Sequence, residues 1–159
     1  MKKYLVAALL AAVPASAWAA EPATSVTSRD PNSVVSHLQD RGYRAKVTKD
    51  DDGDPMIETA TGGTTFYIQF YECEDHKSCE NLQFSVAYDT DDGKGPTLDK
   101  INEWNRDNRF GQAYLDTVKD PAMDMQVWLI DGSLPVATFE EYLDTWADTV
   151  DRFEKHIGW

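Results

Sequence analysis

The sequence is poor in the residues from which catalytic and metal centres are usually built. Its 159 residues include only two cysteines and three histidines. His37, His76 and His156 are scattered and sit in no nucleophile or zinc motif, so they read as surface or loop histidines. Gly62-Gly63 lacks any phosphate-cradling pattern around it. The chain therefore reads as non-enzymatic, and no motif calls for a cofactor. Positive charge is also scarce, since 15 Lys and Arg against 28 Asp and Glu leave a net charge of −13. Such a chain repels nucleic acid and anionic headgroups, because phosphate binding needs clustered Lys or Arg. Long apolar runs are missing too. Tyr4 to Val13 gives ten residues, well short of the roughly 18 that a membrane-spanning helix needs, so membrane insertion is not expected.

What is present begins with an address. Lys2 and Lys3 precede the apolar run, and Ala17 and Ala19 supply the small residues of a cleavage site. Residues 1–19 are expected to be a secretory signal peptide, and the protein to be periplasmic or secreted. The mature chain would run from Ala20 to Trp159, with a net charge of −15 once Lys2 and Lys3 are gone. That length suits one domain with one core. Its acidity reads first as solubility, with a basic partner or a divalent cation as the alternatives. Residues 20–29, rich in Pro, Ser and Thr, read as a flexible leader, and residues 30–159 as a single domain.

Cys73 and Cys79 lie six apart in YECEDHKSCENL. In an oxidising compartment such a pair reads as a disulfide. A metal site using His76 and the neighbouring carboxylates is the alternative, although no second cysteine pair completes a zinc set. The acidic stretch DDDGDP, 50–55, resembles a calcium loop at a glance. In the EF-hand register, however, Thr48 and Thr59 fall where Asp and Glu are required. A solvated turn is the simpler reading, with weak cation binding as the other.

Hydrophobic periodicity supplies the elements. Asp30-Pro31 starts a helix that ends at Gly42. Strands are expected at 44–49, 56–61 and 64–72, the last two joined across Gly62-Gly63, and at 82–88. Thr97 caps a second helix whose inward positions are Leu98, Ile101 and Trp104. Strands at 110–116 and 123–130 follow. A last helix carries Val136, Phe139, Leu143, Trp146, Val150, Phe153 and Ile157 at steps of three and four. The order α-β-β-β-β-α-β-β-α argues an α+β fold, an antiparallel β-sheet flanked by helices. In the strand at 64–72, Phe66, Ile68 and Phe70 point one way and Tyr67 and Tyr71 the other. With Trp128, those two tyrosines form a candidate binding surface if helices leave that face bare. A protein partner or a second copy of the chain, forming a homodimer, would suit it.

The stretch INEWNRDNRFGQAYLD, 101–116, is crowded with Trp, Asn and Arg. Arg106 and Arg109 suit the negative end of a helix, with an anion- or partner-binding site as the alternative. Asn102, Trp104, Asn105, Arg109, Phe110, Gly111 and Tyr114 of this stretch, with GDPMI at 53–57 and FEKHIGW at the C-terminus, resemble the YbjN family. These are small bacterial domains described as sensory transduction regulators. The resemblance covers 30–159 and implies a fold similar to type III secretion chaperones, which are dimers that bind extended protein segments. It implies a protein-binding or regulatory module and brings no catalytic residues. A small-molecule or divalent-cation sensor in the periplasm is the alternative function.

Overall fold

The computed structural model describes residues 24–90 and 94–159. The expected signal peptide, 1–19, and residues 20–23 of the expected leader lie outside the described residues. Asp30 opens α1 (Pro31–Asp40) by accepting the Asn32 N–H at 3.0 Å, and Pro31 takes the first helical position, where its missing N–H is not needed. Six strands follow along the chain: β2 (Lys46–Lys49), β3 (Pro55–Thr61), β4 (Thr64–Tyr71), β5 (Asn81–Ala87), β6 (Gln112–Leu115) and β7 (Pro121–Val127). They form one antiparallel sheet in the order β2-β3-β4-β5-β7-β6. Thr97 caps α2 (Leu98–Asp107), which lies between β5 and β6 in sequence, and α3 (Val136–Ile157) follows the sheet.

One face of the sheet holds the core. Phe66, Ile68 and Phe70 of β4 are buried there with Leu82, Phe84 and Val86 of β5 and Met123, Met125 and Val127 of β7. The apolar stripe of α3 closes over them. Phe66 meets Trp146 edge-on at 5.9 Å, and Phe84 meets Phe139 edge-on at 6.0 Å. Val34 and Leu38 of α1 join the same cluster, as do Ile101 and Trp104 of α2. Each such side chain contributes about 1.5–3 kcal/mol on burial, so this face carries most of the folding energy. The molecule is an α+β protein of two layers, helices on one side and sheet on the other.

Several expectations change. Ser25–Thr27, read as flexible leader, form a strand, β1, that pairs with β8 (Ser133–Pro135). Val26 is buried in that pairing, and the Ser28 hydroxyl donates to the Cys79 carbonyl at 2.5 Å. Backbone pairing and one buried valine thus order a stretch whose composition is that of a linker. Leu98, expected to face the core, is 61% exposed, because the inward stripe of α2 starts at Ile101. The strand expected over 123–130 begins at Pro121 and ends at Val127, so Trp128 and Ile130 follow it rather than belong to it. Phe110 precedes β6 and is 51% exposed.

Candidate functional site: the bare face of the sheet

Among the described residues no helix covers the second face of the sheet. Register places its side chains in rows across the strands. Glu58, Tyr67, Ser85, Asp124 and Gln112 form one row, and Met56, Gln69, Gln83 and Gln126 the next. Tyr71 stands opposite Asn81, at the end of β4 where Trp128 leaves β7. All three residues of the expected surface, Tyr67, Tyr71 and Trp128, therefore lie on this face. Tyr114, from the 101–116 stretch, joins them from β6. Tyr71 and Tyr114 are exposed and Trp128 is 71% exposed. An amide ladder ties the middle together: the Tyr71 hydroxyl donates to Gln69 Oε1 at 2.7 Å, and Gln126 Nε2 to Gln83 Oε1 at 2.5 Å.

Asp124 is the residue that sequence reading missed. It sits half-buried between Ser85 and Gln112. Among the described residues no Lys, Arg or His forms an ion pair with it. Burial pushes its carboxyl above the usual carboxylate range, and the neighbouring Tyr114 hydroxyl draws it part of the way back. Tyr114 is itself pushed up to about 12, by burial first and by Asp124 next. The alternation Met123-Asp124-Met125 was the available clue, since it puts a carboxylate on the non-core side of a strand. Beside Asp124 lies a groove of about 380 Å³, walled by Phe110, Trp128, Arg109, Gln126 and Tyr142. Phe110 and Trp128 come from segments far apart in sequence, brought together by the β6–β7 pairing.

The 101–116 stretch divides in two. One half is structural. Trp104 is buried, edge-on to Phe153 at 5.0 Å, and its indole N–H donates to the Gly111 carbonyl at 2.7 Å. Asn105 exchanges two hydrogen bonds with Ala113, each 2.9 Å. Gly111 holds φ +77°, and a Cβ there would lie 2.5 Å from Met123 Sδ and 2.7 Å from Thr149 Cγ2. The other half, Arg109, Phe110 and Tyr114, points outward on or beside the bare face. Asn102 is exposed on α2. Arg106 is engaged by Asp107 at 2.8 Å, so the two arginines do not form a joint site.

Cys73 and Cys79 are joined as a disulfide with an S–S distance of 2.06 Å, in the loop between β4 and β5. The 50–54 turn is organised by its own carboxylates. Asp50 Oδ1 accepts the N–H groups of Asp52 and Asp54 at 3.1 and 2.8 Å, and Asp54 pairs with His76 at 2.7 Å. Among the described residues no three His, Cys, Asp or Glu side chains gather as a metal set. The other histidines hold elements together. His37 reaches Glu140 at 3.4 Å, and His156 Nε2 lies 2.8 Å from the Lys100 carbonyl.

Fold and face together define a small α+β module with one sheet surface that no described helix covers. The family model described as "Putative bacterial sensory transduction regulator", YbjN, matches residues 30–159. The chain belongs to the YbjN family. Comparison with curated proteins and with solved structures found no match. No described helix is long and apolar enough to cross a membrane.

Proposed function

We propose that this chain is an exported, non-enzymatic regulatory module that works by binding a protein on the bare face of its sheet. The observation that carries the reading is the distribution of surface aromatics. Tyr71, Tyr114, Phe110 and Trp128 are all substantially exposed on or beside a face that no described helix covers, with Tyr71, Phe110 and Trp128 toward the Gln126 end and Tyr114 toward the other. Exposed aromatics in one patch are characteristic of interaction surfaces, because each offers a large contact area at little entropic cost. The family's description as a sensory transduction regulator fits a module of this kind. Export is supported by the charged and apolar pattern of residues 1–19 and by the disulfide. The non-catalytic reading rests on the sequence, where no histidine sits in a nucleophile or zinc motif.

A second copy of the chain is one candidate partner, and light scattering behind size exclusion decides it. A dimer that dissociates in Tyr71→Ala/Trp128→Ala places the homodimer on this face. For a different partner, the test is recovery of a discrete protein from periplasmic extract by the native chain and not by the double variant. Equal recovery by both removes the aromatic face from the account.

A further inference from the structure

β7 extends past the end of its neighbour β6. The β6 ladder stops at the pair Gln112↔Asp124, while β7 continues to Val127. Which way each main-chain group of β7 points is fixed by the bonds at its start. Tyr88 N–H donates to the Pro121 carbonyl at 3.0 Å, so residues 121, 123, 125 and 127 turn toward β5. Asp116 N–H donates to the Asp120 carbonyl at 2.9 Å, so the even-numbered residues turn toward β6. Gln126 therefore directs its N–H and C=O to the side where β6 has ended. Among the described residues neither group has a hydrogen-bond partner. That open position faces the groove walled by Phe110 and Trp128, beside the Asp124 carboxyl, which the Tyr114 hydroxyl touches but no described cation pairs.

We infer that this groove takes an extended, basic segment of a partner protein as an added strand, in register with Gln126 and with a Lys or Arg set against Asp124. The inference rests on the docking reading above and names the segment's chemistry. Two main-chain bonds at Gln126 suit an extended backbone, as in other strand-addition interfaces. A cation beside a half-desolvated carboxylate recovers the Coulomb energy that burial otherwise leaves unused. The Trp128 and Phe110 rings favour the same charge through their faces. Arg109 lies on the same groove and forms no ion pair with Asp124.

The test uses the blocked peptide acetyl-Val-Lys-Val-Lys-Val-amide, titrated into nitrogen-15-labelled protein. Saturable shifts are expected at the Gln126 and Trp128 amides and the Trp128 indole. Three comparisons follow. A glutamate counterpart of the peptide should not bind. A version N-methylated at alternate residues, which cannot donate to the Gln126 carbonyl, should lose binding. Asp124→Asn, which keeps the side-chain shape, should weaken it by about tenfold. Shifts centred on the α3 carboxylates Glu141, Asp144, Asp148 and Asp151, or on the 50–54 turn, would show charge attraction alone and overturn the inference. So would equal binding of the N-methylated or glutamate peptide. If a partner docks through Tyr71 and Trp128 but no peptide enters the groove, the docking reading stands and this inference falls.

Discussion

Two residues decide the local argument, Asp124 and Gly111. The folded-state pKa of Asp124 is raised, so the folded chain holds its proton more tightly than the unfolded chain does. The stability this contributes is complete below the unfolded value of about 3.9 and is lost as pH rises through the folded value. Asp124→Asn, facing Tyr71 and Tyr114 as Asp124 does, is therefore expected to melt higher than the native chain at pH 7. The gap should close as pH falls toward 4, and calorimetry across that range measures it; a gap that widens on acidification contradicts the assignment. Gly111→Ala forces a side chain into a positive-φ position against Met123 and Thr149. It should lower stability by about 3 kcal/mol in denaturant titration. Neither role was legible in the sequence. Gly111 read only as part of the strand expected over 110–116, and the sulfur that a side chain there would meet is set by tertiary packing.

At the level of elements, the sheet has two edges and treats them differently. β2 is short and carries Lys46 and Lys49, charges that discourage pairing with another chain. β6 is closed by a side chain instead. The two bonds between the Asn105 amide and Ala113 imitate a further strand at one of the two residues of β6 whose main chain points outward. Asn105→Ala should cost about 1–2 kcal/mol and introduce concentration-dependent association. Sedimentation across a tenfold concentration range reads the second effect. The disulfide closes a short loop, and its removal in Cys73→Ser/Cys79→Ser should cost about 2 kcal/mol in the same denaturant assay. Long periodic elements were legible: the stripe of α3 and the alternation of β4 mark their buried faces without ambiguity. β1 and β8 were not, since three residues carry no period and each is a strand only because the other exists. Leu98 was misplaced for a related reason. One apolar residue in a helix's first turn fits the stripe by count, but here the turn stands clear of the core.

For the molecule as a whole, the two-layer arrangement is what makes a site possible. The three described helices contribute to one core on one side, and the other side, which no described helix covers, carries Tyr and Gln with Glu58 and Asp124. The sequence could assign Tyr67 and Tyr71 to the non-core side, because alternation within a strand is local. It could not show that this side is bare, nor that Phe110 and Trp128 share a groove, because both depend on how distant strands pair. The account's central claim is that partners meet the chain on this face. Site-specific photo-crosslinking in the native cell tests it most directly, with a benzophenone side chain placed in turn at Tyr71, Trp128, Leu98 and Trp159. The first two positions lie on the bare face, and the last two are exposed on the helical side. Discrete adducts from Tyr71 and Trp128, with none from Leu98 or Trp159, are the predicted result. Adducts from Leu98 or Trp159 alone, or none at any position, would contradict it.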